Sequence, residues 1–135
     1  MSITKPLIIE GTNKTPQVIF DPDNSFFEIS GRSLPENVIK TYEPVLTWVE
    51  QNMGNIHQSV QFNIKIDYLN SASAKMMSLL FTRLEEFYKS GIDIQVNWFY
   101  NPEDEDIHSE GEIFSMIKKV PIKLVAIEDL PEDDE

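Results

Sequence analysis

Between Val60 and Tyr68 apolar side chains take every second position (Val60, Phe62, Ile64, Ile66, Tyr68), with Gln61, Asn63, Lys65 and Asp67 between them. A period of two predicts a strand with one buried face and one wet face. From Ala74 to Tyr88 the period lengthens to about three and a half. Ala74, Met77, Leu80, Phe81, Leu84, Phe87 and Tyr88 form one stripe, while Lys75, Ser78, Thr82, Glu85, Glu86 and Lys89 face away. That is an amphipathic helix, stopped at Ser90-Gly91 because glycine accepts the left-handed conformation that ends helices. Ile92, Ile94, Val96, Trp98 and Tyr100 then alternate with Asp93, Gln95, Asn97 and Phe99, a second half-buried strand. A helix between two strands implies a parallel pair joined by a right-handed crossover.

The amino-terminal third reads as a small meander. Leu7-Ile8-Ile9 and Gln17-Val18-Ile19-Phe20 are short apolar runs. Asp21-Pro22-Asp23-Asn24 has proline at the second position of a type I turn, so Phe26 to Ser30 returns as a hairpin partner. Ser33-Leu34-Pro35-Glu36 has the spacing of a capping box and predicts a helix start, with Val38, Tyr42, Val45, Leu46 and Val49 as its buried stripe. Pro44 removes a backbone hydrogen bond inside that helix and predicts a kink, or two short helices meeting near Thr41 to Glu43. Asn52 to Asn55 ends the segment. Beyond the central unit, Asn101 to Asp106 reads as an acidic loop. Ile107, Phe114 and Ile117 mark a last helix ending at Lys118-Lys119, and Ile122 to Ile127 a final strand.

Composition changes this picture in four ways. At 135 residues the chain suits one domain, expected over 1–127. Its formal charge of −12 argues against nucleic acid or anionic lipid as partner. Six of the carboxylates crowd into Glu128 to Glu135, an expected disordered, solubilising tail over 128–135, which leaves −6 on the body. The absence of cysteine removes disulfide and thiolate chemistry. With neither a signal-peptide pattern nor an apolar run of membrane-spanning length, the expectation is a cytoplasmic protein without membrane insertion.

Candidate chemistry concentrates where the central strand meets its helix, at Asn70-Ser71-Ala72-Ser73. Exposed backbone N–H groups and the positive end of the helix dipole lie there. Asn and Ser suit a helix cap, worth about 1 kcal/mol. The same hydroxyls also suit phosphorylation, which adds about −1.5 to −2 charge at a helix end that tolerates anions. Arg32 is either a surface arginine beside a helix or a partner for phosphate or carboxylate; Lys75, in the first turn, is either a solvated charge or a phosphate contact. Glu103 to Asp106, with Glu110 and Glu112, form a solvated loop or docking patch rather than a metal site, since the spacing lacks an EF-hand loop and its glycine. Trp98, Phe99 and Tyr100 read as core and sheet-edge aromatics. His57 and His108 sit in no acid/base or metal motif, and there is no nucleophile elbow, Walker loop or dinucleotide fingerprint. No cofactor and no catalytic residue is expected.

Several spaced blocks, from Thr12-x-x-Thr15-Pro16 to the last strand, carry a resemblance. Gly31-Arg32-Ser33-x-Pro35-Glu36-Asn37, Tyr42-x-Pro44 with Trp48, Tyr68-x-Asn70 before a hydroxyl residue, and Trp98-x-Tyr100 with Glu105-Asp106 and Gly111 beyond resemble the SiaC family of bacterial regulatory phosphoproteins. The resemblance implies a single α/β domain of the STAS-like kind, a mixed sheet with helices packed mainly on one face, acting as a partner switch. It implies that a cognate Ser/Thr kinase modifies one hydroxyl at the start of the helix after the central strand. A metal-dependent phosphatase of the PP2C type removes the phosphate, and the unmodified form activates a diguanylate cyclase or similar effector. The usual pattern at that joint is Asn-Thr-Ser-Ser, so Ser71 takes the threonine's place and Ser73 is the fallback. The rival readings are a constitutive scaffold or anti-sigma-factor antagonist in which Ser71 is only a helix cap, and a small hydrolase using the acidic loop.

Overall fold

A computed structural model of the protein describes residues 5–128. The acidic tail expected from residue 128 lies, past Glu128, outside the described residues. In chain order the elements are β1 (Leu7–Ile9), β2 (Gln17–Asp21), β3 (Phe26–Ser33), α1 (Val38–Asn52), β4 (Val60–Leu69), α2 (Ser71–Lys89), β5 (Ile94–Tyr100), α3 (Glu105–Ile117) and β6 (Ile122–Ala126). All six strands join one sheet in sequence order, antiparallel from β1 to β3 and parallel from β3 to β6. The three crossovers advance in the same direction along the sheet. Right-handedness therefore puts α1, α2 and α3 on one face and opens every strand-to-helix corner at the same end. This mixed α/β arrangement is compatible with the STAS-like fold.

The alternation in β4 is realised as read: Val60, Phe62, Ile64 and Ile66 are buried under the helices. On the open face, Asn97 Nδ2 donates to Gln61 Oε1 at 2.8 Å and to Asn63 Oδ1 at 2.9 Å, while Gln95 Nε2 donates to Asn97 Oδ1 at 2.7 Å. Lys65 pairs with Glu28 at 3.2 Å on the same face. Polar side chains thus satisfy one another on the side that no helix covers.

Two aromatic groups fill the covered face. Phe20, Phe27, Trp48 and Phe62 pack under α1, with the Phe20 and Trp48 ring centres 5.1 Å apart. Phe81, Trp98 and Phe114 pack between α2, β5 and α3, with Phe81 and Phe114 also 5.1 Å apart and edge-to-face. Offset and edge-to-face contacts suit the ring quadrupole, so these groups also set the seats of the helices.

The structure corrects the reading of α1 in three respects. Ser33 is not a helix cap: it ends β3, because Arg32 and Ser33 pair with Tyr68 and Leu69 of β4 and this ladder extends the strand past the expected Ser30. The cap is Asn37, whose side chain accepts from Lys40 N at 3.0 Å. Pro44 lies inside one helix that runs from Val38 to Asn52, so of the two expectations at this proline the pair of short helices is the one overturned. It is exposed, so solvent can satisfy the carbonyl one turn back, while burial of Tyr42, Val45, Trp48 and Val49 holds both halves against the sheet. Trp48 also joins the buried stripe in place of Val38 and Leu46, which are only half-buried, and its Nε1 donates to the Lys5 carbonyl at 2.7 Å. Tyr88, expected in the buried stripe of α2, is 37% exposed in the last turn of that helix, and Ile117, which marked α3, is 61% exposed at its end.

Candidate functional site

At the carboxyl end of β4 the backbone turns straight into α2. Asn70, extended at φ −81° and ψ 172°, is the cap: its Oδ1 accepts from Ser73 N at 2.8 Å and its carbonyl accepts from Ala74 N at 2.9 Å. Ser71 is the first helical residue and is exposed. No hydrogen bond engages its side chain among the described residues. Of the residues read as a cap, Asn70 takes the role, and the Ser71 hydroxyl is left to solvent beside the positive end of a 19-residue helix. Lys75 is exposed one turn further on, at the i+4 spacing that places its side chain beside Ser71.

Ser73 is in a different situation. It is fully buried, and the Ser33 hydroxyl donates to its Oγ at 2.7 Å. Ser33 Oγ is in turn 2.6 Å from the hydroxyl of Tyr42. Both Ser33 and Tyr42 are fully buried. One residue each from β3, α1 and α2 therefore meets in a closed hydroxyl cluster, and the Ser33 carbonyl accepts from Asn70 N at 3.1 Å beside it. Burial pushes the Tyr42 phenol above its ordinary value, while the hydroxyls of Ser33 and Ser73 pull it part of the way back.

Arg32 is brought to the same sheet end. The pairing of β3 with β4 slips between Gly31 and Arg32, so that Ile66 faces Gly31, Tyr68 faces Arg32, and Asp67 is the extra residue of a bulge. Gly31 takes φ +103° here, a conformation that glycine adopts without strain. Among its contacts, Arg32 Nε donates to the Asn13 carbonyl at 3.2 Å, and its guanidinium carbon sits 5.2 Å from the centre of the Tyr68 ring. The arginine thus fastens the β1–β2 loop to the strand that ends at Asn70.

The acidic run occupies the next corner along. Asp104 caps α3, accepting from Ile107 N at 3.1 Å, and Glu105 and Asp106 lie in its first turn, so the helix begins inside the stretch read as a loop. Carboxylates there suit the helix dipole. Among the described residues no three His, Cys, Asp or Glu side chains gather to hold a metal ion. His108 stacks on Tyr100, with ring centres 4.2 Å apart, and Trp98 Nε1 donates to the Ile107 carbonyl at 2.9 Å.

Of the residues singled out in the sequence, Asn70, Ser71, Ser73 and Lys75 share the first turns of α2, and Arg32 borders them from the adjacent strand. Ser33 and Tyr42 were missed as parts of this corner. One had been read as a cap and the other as core, and no spacing rule joins positions 9 and 40 residues apart.

Fold and corner together define the class, a small mixed α/β domain with an exposed hydroxyl at a strand-to-helix joint. The chain belongs to the SiaC family of regulatory phosphoproteins, whose family model matches residues 9–127. An uncharacterized protein of Pseudomonas aeruginosa (strain UCBPP-PA14) is 29% identical over 108 residues, 80% of this chain and 86% of that protein. Among solved structures, the complex of the diguanylate cyclase SiaD with its activator SiaC from Pseudomonas aeruginosa matches with a TM-score of 0.83 at 27% identity, over 90% of this chain and 99% of that one. SiaC of Pseudomonas aeruginosa matches with a TM-score of 0.82 at 26% identity, over 91% and 99% of the two chains. Among the described residues no helix is long and apolar enough to cross a membrane.

Proposed function

We propose that this protein is a non-enzymatic, phosphorylation-controlled partner switch of the bacterial cytoplasm. The unmodified form binds and activates a diguanylate cyclase or similar effector, a cognate Ser/Thr kinase closes the switch by phosphorylating Ser71, and a PP2C-type phosphatase reopens it. The observation that carries this reading is the Ser71 hydroxyl, exposed at the first position of α2 and not used by the cap. Phosphate there would face unengaged backbone N–H groups and the positive helix end, with Lys75 one turn away, so the fold would tolerate it.

The effect on a partner would be the opposite. A surface shaped around a neutral hydroxyl would have to desolvate about −1.5 to −2 charge, and a cost of about 3 kcal/mol lowers affinity on the order of a hundredfold. The family membership and the likeness to a SiaC seen with its cyclase support the choice of effector. The test is direct. Protein treated with the cognate kinase should gain one phosphate, mapped to Ser71, lose binding to the cyclase, and regain it after phosphatase treatment. Undiminished binding by the modified form would end the proposal.

A further inference from the structure

Two serines lie two residues apart at this joint, and the fold treats them in opposite ways. Ser71 points to solvent, whereas Ser73 is sealed against Ser33 and Tyr42 by hydroxyl contacts of 2.7 and 2.6 Å. The cluster closes over the first turn of α2 from behind. In front, Asn70 Oδ1 holds Ser73 N, and from the side the Ser33 carbonyl holds Asn70 N. Ser33 therefore grips the joint twice, by its backbone at Asn70 and by its side chain at Ser73. Tyr42, reaching across from α1, completes the grip on Ser33. Helix ends fray unless something outside the helix holds them, and here that something is a pair of hydroxyls from two other elements.

We propose that Ser33 and Tyr42 are positioning residues for the Ser71 switch. They clamp Ser73, keep the first turn of α2 wound against the ends of β3 and β4, and so present Ser71, and only Ser71, in one fixed pose to the kinase and to the partner. This inference rests on the reading of Ser71 as the modified hydroxyl. Neither residue touches the phosphate; both act through Ser73. The clamp also makes Ser73 a buried structural hydroxyl instead of a second acceptor, because exposing it would leave the Ser33 hydroxyl proton without its acceptor in the core.

Two variants test the clamp in the full-length chain. Tyr42→Phe removes one hydroxyl and keeps the ring; Ser73→Ala cuts the tether and leaves Ser33 and Tyr42 bonded to each other. Amide hydrogen exchange and kinase kinetics are measured on both and on the wild type. The expected result is that the amides of Asn70, Ser73 and Ala74 exchange about tenfold faster while those of β4 and mid-α2 keep their protection. In the same variants kcat/KM for Ser71 phosphorylation should fall about fivefold or more. Wild-type exchange at the three amides in both variants overturns the clamp, and so does acceleration spread evenly over the domain, or faster exchange with an unchanged phosphorylation rate. A wild-type chain that the cognate kinase leaves unmodified at Ser71 overturns the switch itself, and that control separates the two failures.

Discussion

Replacing Ser71 by aspartate should move stability and binding in opposite directions, which makes Ser71→Asp the most informative substitution in the chain. Ser71 is the first residue of α2, and the cap itself, Asn70, is untouched. A carboxylate at that position meets the positive helix end for about 0.3–1 kcal/mol. It also stands four residues before the exposed Lys75, a pairing worth about 0.2–0.5 kcal/mol. Aspartate's poorer helix propensity takes back a few tenths of a kcal/mol. The sum is a gain of roughly 0.5–1 kcal/mol, a rise in Tm of about 2–4 °C for a domain of this size. Affinity for the effector should fall about ten- to a hundredfold, since an interface that received a neutral hydroxyl must strip water from a charge. Calorimetry or thermal melts followed by circular dichroism read the first quantity, and titration against the purified cyclase reads the second, with Ser71→Ala as the neutral control that keeps its affinity. A variant at least as stable as wild type cannot lose its partner through unfolding. Binding within about threefold of wild type would refute the electrostatic gate, and a drop in Tm of several degrees would refute the account of the corner.

Two further outcomes follow from the packing. A β-carbon added at Gly111 would land on the Trp98 indole and within 2.8 Å of Leu124 Cδ2; Trp98 is buried and bonded to Ile107, so α3 must lift away from β5 and β6. Gly111→Ala should therefore cost about 1–3 kcal/mol despite alanine's better helix propensity, read as a lower Tm with a red-shifted tryptophan emission. Tyr42 predicts a pH effect: its phenol is held above its ordinary value in the folded state, so the unfolded chain gives up that proton first. The associated stability is intact below the unfolded value near 10 and drains away as pH rises through the higher folded value. Denaturant melts from pH 8 to 11 should accordingly fall less steeply for Tyr42→Phe than for wild type, and equal slopes would show that Tyr42 is not the group responsible.

The periodicities of the chain were enough to place β4, α2 and β5, because each side chain there answers to one face of one element. The tail beyond Glu128 lies outside the described residues. Where sequence reading went astray, a distant partner had overruled a local signal. The capping box at Ser33 lost to strand pairing with Tyr68 and Leu69, and Pro44 failed to break α1 because the buried face of that helix outweighs one missing hydrogen bond. The acidic stretch was legible as charge but not as the cap of α3, since Asp104 becomes a cap only once Ile107 and Phe114 are drawn into the core behind it.

What the amino-acid order determined alone is the set of elements, their facing, and the presence of Asn70 and hydroxyls at a strand-to-helix joint. What seals one of those hydroxyls was decided by tertiary structure. Ser71 and Ser73 are chemically alike, and the helical period already sets Ser71 in line with Lys75, Ser78 and Thr82 and Ser73 in line with Met77, Leu80 and Leu84, but only the arrival of Ser33 from β3 and Tyr42 from α1 makes Ser73 a hydrogen-bonded fastening. Which partners meet a buried hydroxyl depends on what the rest of the chain brings within reach, and no local spacing encodes that.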